Sequence, residues 1–230
     1  MSARKKVVRN GHRPAAPVSW GHYGGGWIEA VVGSMFSGKT QELIRRLRLA
    51  SIARQKVQVF NSSLDVRYAK DHIVSHDLSK TPSVAVSRAR DILKKIDPDT
   101  QVVGVDEVQF FDEDIVDVCE KLAGQGRRVI VAGLDQDFRG VPFPVTCRLM
   151  GVAEFVTKNL AICTVCGNPA NRSQRLSSGK KVIDVGAADK YEARCRRCFE
   201  PGIPKQETFE FARRRRQGEE SSPGAAATAE

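Results

Sequence analysis

Long apolar runs are missing from this 230-residue chain, and none approaches the roughly 18 residues that a membrane-crossing helix requires. The basic cluster near the start is not followed by the apolar segment of a signal peptide, so the reading is a cytoplasmic chain with no membrane partner. Aromatic residues are few, with two Trp and three Tyr, and the first 26 residues contain no acid at all. That opening stretch carries Arg4, Lys5, Lys6, Arg9 and Arg13 and ends in Gly24, Gly25 and Gly26, too little apolar surface to order itself. From residue 201 onward Pro201, Pro204 and the run Arg213 to Arg216 precede an Ala/Ser/Glu ending, a second stretch of the same kind. Residues 1–26 and 201–230 are therefore expected to be disordered tails. The first supplies five of the ten net positive charges, so the basic balance says little about the partner of the folded unit.

A disulfide framework is disfavoured as well. Four of the six cysteines form two C-x-x-C pairs in a chain read as intracellular, a pattern that favours metal over oxidation. Cys119 and Cys147 are left over and are expected as buried thiols.

Runs rich in Val and Ile recur at Trp27 to Val32, Val57 to Phe60, Val84 to Val86, Val102 to Val105 and Val129 to Leu134. Such near-continuous apolar strands suit a parallel sheet covered on both faces. Between them the spacing predicts helices at Lys39 to Ala53, at Ser87 to Ile96 with Ser87 as N-cap, and at Asp112 to Ala123 closed by Gly124. The alternation implies an α/β fold with ligands at the carboxyl ends of the strands. After Gly151 the pattern changes to one short strand near Phe155 and then a loop-rich region poor in core-forming residues, which needs a staple.

The first strand runs into Gly33-Ser34-Met35-Phe36-Ser37-Gly38-Lys39-Thr40, a match to G-x-x-x-x-G-K-[ST] with a helical segment after it. In such a P-loop, backbone N–H groups and a helix N-terminus cradle phosphate, Lys39 reaches the β and γ phosphates of ATP, and Thr40 offers its hydroxyl to Mg²⁺. The fourth strand ends in Asp106-Glu107-Val108-Gln109, two carboxylates where an apolar strand opens into the cleft. Asp106 suits magnesium and Glu107 suits a general base for an acceptor hydroxyl.

Cys163, Cys166, Cys195 and Cys198 stand as two C-x2-C pairs, which can close a tetrahedral structural Zn²⁺ site without an open position for chemistry. His72 and His76 are assigned no role. Arg67 could serve a transferring phosphoryl group, and Phe138 could stack on a base or simply pack.

Together these segments resemble the type II thymidine kinases from about Trp27 to Phe199. The resemblance includes Asp65-x-Arg67-Tyr68, Asp106-Glu107-Val108-Gln109-Phe110, Asp137-Phe138-Arg139-Gly140 and Gly186-Ala187-Ala188-Asp189-Lys190-Tyr191. It implies a RecA-like P-loop domain over 27–158 and a small zinc-binding, lasso-bearing C-terminal domain over 159–200. The implied activity is transfer of the ATP γ-phosphoryl group to the 5′-hydroxyl of thymidine, with deoxyuridine left open as an acceptor. Glu107 would be the base, and Gly33 to Thr40, Asp65, Arg67, Asp106, Glu107, Val108 and Gln109 would surround the phosphates. Phe138 would stack on thymine, with Ser173 near the base edge and Val182, Ile183, Asp184, Val185, Gly186 and Tyr191 closing over it. Zinc would then anchor this lid and not the P-loop. The family also implies a homotetramer and feedback by thymidine triphosphate.

A nucleic-acid-dependent ATPase is the main rival, since Asp-Glu-x-Gln resembles a helicase box. Such an enzyme needs two RecA-like domains and this length holds one, so no nucleic acid is required. A GTPase would need an N/T-K-x-D motif, whereas Thr157-Lys158-Asn159-Leu160 ends without the acid.

Overall fold

A computed structural model describes residues 25–63, 72–74, 80–176 and 190–201, with only the backbone given at 72–74, 80 and 81. Strands β1 (Trp27–Gly33), β2 (Val57–Ser62), β3 (His72–Val74), β4 (Lys80–Pro82), β5 (Val84–Val86), β6 (Val102–Asp106), β7 (Arg128–Leu134) and β8 (Phe155–Asn159) come first. Helices α1 (Lys39–Ile52), α2 (Arg90–Lys95), α3 (Asp114–Gly124) and α4 (Pro144–Val152) alternate with them. Four short strands follow: β9 (Ala161–Ile162), β10 (Pro169–Ala170), β11 (Arg172–Arg175) and β12 (Tyr191–Arg194).

Six strands form one sheet in the order β5-β2-β6-β7-β1-β8, with every neighbouring pair parallel. Side chains alternate across its two faces. Leu43, Leu47 and Ala50 of α1 pack on one face against Val31, Val59, Ile130 and Ala132. Ile92 of α2, Ile115, Val118 and Leu122 of α3 and Leu149 of α4 pack on the other, against Ile28, Val32, Val103, Val105 and Val131. Each buried Leu, Ile or Val contributes about 1.5–3 kcal/mol, which is why the continuous apolar strands read so clearly.

Strand β7 lies between β1 and β6, an order no local pattern reveals. Beyond β8 the sheet ends, and two antiparallel pairs follow, β9 with β10, whose connecting turn carries Cys163 and Cys166, and β11 with β12, after which come Cys195 and Cys198.

Several sequence expectations need correction. The second helix starts at Arg90, and Ser87 does not cap it. The Ser87 hydroxyl pairs with that of Ser63 at 3.4 Å, and the Ala89 N–H donates to Asp112 of the loop before α3 at 3.4 Å. Gly124 is the last residue of α3, and the left-handed turn falls at Gly126, φ 85°. Helix α4 was not anticipated, and Cys147 on it is exposed while Cys119 is buried.

Candidate active site

The P-loop follows β1 directly. Any Cβ on Gly33 would lie 2.3 Å from the Asn159 carbonyl oxygen of β8, so only glycine lets the chain leave the sheet there. Gly38 adopts the left-handed conformation, φ 78°, and opens α1, turning that helix's N-terminus toward the loop. Within the loop the Lys39 ammonium donates to the Ser34 carbonyl at 2.8 Å, and the Ser37 hydroxyl donates to the same oxygen at 2.8 Å. Lys39 is thus buried across the mouth of its own loop, where a polyphosphate would offer it stronger acceptors.

The strand order sets β6 two strand spacings from β1, about 10 Å. The Thr40 hydroxyl crosses that gap and donates to Asp106 Oδ1 at 3.5 Å. Asp106 is buried, and burial first, then the neighbouring Glu107 carboxylate, push its pKa up to about 7. A carboxyl so reluctant to ionise, facing a hydroxyl, fits a divalent cation that would restore its charge.

Glu107 is left-handed, φ 51°, a conformation that costs a non-glycine residue about 1–3 kcal/mol and recurs at functional sites. Its N–H donates to Asp106 Oδ1 at 2.9 Å, and the strand ends there in the turn Val108–Phe110. Glu107 Oε2 accepts from the amide of Gln109, whose Oε1 in turn accepts the Leu134 N–H at 2.9 Å.

Below the P-loop, the Sγ atoms of Cys163, Cys166, Cys195 and Cys198 all lie within 4.8 Å of one another, with 3.6 Å between those of Cys166 and Cys195. Four thiolates at about 2.3 Å from one Zn²⁺ would stand about 3.8 Å apart, so the cluster fits that ion. Hydrogen bonds from Asn168 hold the Cys166 thiol down to about 6, while burial and the other three cysteines push Cys198 up to about 12.

This region touches the P-loop itself. The Met35 N–H donates to Ser173 Oγ at 3.0 Å, the Ser34 hydroxyl reaches the Ala170 carbonyl at 3.5 Å, and Phe36 packs against Ala161, Ala170, Ala193 and the buried cysteines. Phe36 is left-handed, φ 63°. The expectation that zinc serves only the lid is revised, because the same strands brace the phosphate loop.

Phe138 is half-buried, and the guanidinium of Arg175 lies over its ring at 3.7 Å. Arg175 also donates to the Tyr191 hydroxyl through Nη2 at 2.7 Å and Nε at 3.2 Å.

A thymidine kinase family profile matches residues 26–199, most of the chain. The chain belongs to the thymidine kinase family. It is 55% identical over 192 residues to a thymidine kinase of Rhodothermus sp. (strain ITI 518), an overlap of 83% of this chain and 90% of that one. Among solved structures, the Legionella pneumophila ATPase DotB overlaps 63% of this chain and 43% of its own at 14% identity, TM-score 0.38. The genome packaging NTPase B204 of Sulfolobus turreted icosahedral virus 2 overlaps 60% and 75% at 15% identity, TM-score 0.36. Superpositions this loose add nothing to the argument.

Of the residues that the thymidine kinase resemblance selected, Gly33 to Thr40 and Asp106 to Gln109 converge at the carboxyl ends of β1 and β6. Phe138 and Tyr191 share Arg175, and Ser173 meets the P-loop. Asp65, Arg67, Val182, Ile183, Asp184, Val185 and Gly186 lie outside the described residues. Arg175 was missed. A lone arginine among many gives no sequence signal, although its place two residues after Ser173, which the resemblance singled out, could have drawn notice.

Proposed function

We propose that this protein transfers the γ-phosphoryl group of ATP to the 5′-hydroxyl of thymidine, giving thymidine monophosphate and ADP. The observation that carries the reading is the left-handed Glu107 at the end of β6, beside buried Asp106 and across from a complete P-loop. Membership of the thymidine kinase family supplies the acceptor.

In the proposed reaction the 5′-oxygen bonds to the γ phosphorus as the bond to the β-phosphate oxygen breaks, and the hydroxyl proton passes to Glu107. Lys39 leaves the Ser34 carbonyl for the phosphates, and the loop N–H groups orient them. Thr40 and Asp106 are the residues that would hold magnesium, which when bound neutralises charge on the β and γ phosphates. Asp65, Arg67 and Val108 complete the phosphate site by the family resemblance, whereas Gln109, which the resemblance also sets there, is engaged by Glu107 and the Leu134 N–H.

Phe138 would stack on thymine with Arg175 on its other side, while Ser173, Tyr191 and Val182 to Gly186 would close over the base. A closed site excludes water, so phosphate passes to the nucleoside and is not lost by hydrolysis. Structural zinc on the four cysteines would hold a C-terminal domain at 159–200 against a nucleotide-binding domain at 27–158. A cytoplasmic homotetramer inhibited by thymidine triphosphate, with no need of nucleic acid, completes the proposal.

The test is transfer of labelled γ-phosphate from ATP with magnesium to a panel of nucleosides, with phosphate release followed in the presence and absence of single-stranded DNA. Labelled thymidine monophosphate, with little product from deoxycytidine or purine nucleosides, is the expected result. DNA-stimulated phosphate release without nucleoside labelling would refute it.

A further inference from the structure

Glu107 stands at the frayed end of β6 in a backbone conformation that must be held by something outside its own strand. Gln109 reaches it from the turn that follows: it is buried, 7% exposed, and its amide links the Glu107 carboxylate to β7. Its Oε1 accepts the Leu134 N–H at 2.9 Å, and because a backbone N–H can only donate, the amide NH₂ is obliged to face Glu107, where it donates to Oε2. The neighbouring strand is cut away to admit this arrangement. A Cβ on Gly133 would lie 2.7 Å from Gln109 Oε1 and 2.6 Å from Val108 Cγ2.

The anchor point matters for the chemistry. Leu134 is the register partner of Gly33, the first residue of the P-loop, on the adjacent parallel strand. Gln109 therefore ties the carboxylate on β6 to the sheet position from which the phosphate loop departs.

We propose that Gln109 is a positioning residue that fixes the plane of the Glu107 carboxylate relative to the phosphates, and that its effect on turnover passes through Glu107 and not through contact with ATP. This rests on the reading of Glu107 as the base. A base held a fraction of an ångström or a few tens of degrees off line loses most of its advantage, so the amide is worth about 10- to 100-fold in kcat.

The experiment compares Gln109→Met and Gln109→Glu in the wild-type and Glu107→Gln backgrounds, measuring single-turnover phosphoryl transfer to thymidine and the Kd for ATP. Gln109→Glu keeps an acceptor for Leu134 and the shape of the side chain while presenting oxygen to a carboxylate, so it separates positioning from mere anchoring of the strand. The expected result is a loss of about 10- to 100-fold in kcat for both variants with the ATP Kd within about twofold, and less than about a twofold further change when Glu107 is already Gln. Equal losses in both backgrounds, or weakened ATP binding with kcat preserved, would overturn the proposal in favour of a structural or phosphate-contact role. Failure of the base itself gives a different result: Glu107→Gln alone would turn over at the wild-type rate, and the positioning role would fall with it.

Discussion

Ser173 separates two accounts of the strand that carries it. The family resemblance sets this hydroxyl at the base edge, whereas its oxygen accepts the Met35 N–H of the P-loop at 3.0 Å with the residue 4% exposed. Ser173→Ala leaves that buried N–H without an acceptor, which costs about 1–3 kcal/mol. In a folded unit of this size each kcal/mol lowers the melting temperature by roughly 2–4 °C, so a fall of about 2–12 °C is expected. The loop that loses the bond is the one ATP must find preformed, so the Kd for ATP should rise about tenfold. Ser173→Thr, which keeps the oxygen, should restore both quantities. The assay is ATP titration by calorimetry with thermal unfolding of the same samples, set beside the KM for thymidine. An unchanged melting temperature and ATP Kd with a raised thymidine KM would refute the reasoning and return Ser173 wholly to the base.

The same contacts predict that stripping metal with a chelator, or Cys195→Ser, weakens ATP binding as well as thymidine use and lowers the melting temperature; intact ATP affinity in the metal-free protein would contradict this. Gly133→Ala should lower kcat several-fold by displacing Gln109 and Val108, with a smaller rise in the Kd for ATP, as checked by paired kinetics and titration. Glu29 supplies a pH dependence: burial works to raise its pKa, but hydrogen bonds from Arg128 and Trp27 and the charges of Arg128 and Arg46 outweigh that and hold it below its ordinary value of 4.5. Its stabilisation is therefore present above about pH 4.5 and is lost as the pH falls further. Glu29→Gln should cost about 2 kcal/mol at neutral pH and flatten the acid limb of a denaturant-unfolding series; an unchanged limb would show that the cluster contributes little.

All six strands of the sheet were legible in the sequence, most clearly β6 and β7, whose Val and Ile runs are buried, and the P-loop was legible because its glycines are dictated by Asn159 and by a left-handed turn. The order of the strands was not, since the placement of β7 between β1 and β6 depends on long-range pairing that no window of sequence contains. Helix α4 escaped notice although Pro144 at its first position marks a start, because Phe143 before it offers no capping oxygen. The start of α2 was misplaced for the reverse reason: Ser87 looks like a cap, but its hydroxyl is engaged by Ser63. Within the site, the chemistry of Lys39, Asp106, Glu107 and the four cysteines follows from residue type and spacing. The roles of Ser173, Phe36 and Arg175 arise only where the strands after β8 meet the P-loop and Phe138, a tertiary contact invisible beforehand.

The most direct test of the central claim is Glu107→Gln, assayed for phosphoryl transfer to thymidine together with equilibrium binding of ATP and magnesium. The account predicts that turnover falls by at least about 100-fold while ATP affinity stays within about twofold, because a base is lost and no phosphate contact is. Turnover that persists, or ATP binding that collapses with it, would contradict the assignment of Glu107 as the group that accepts the hydroxyl proton.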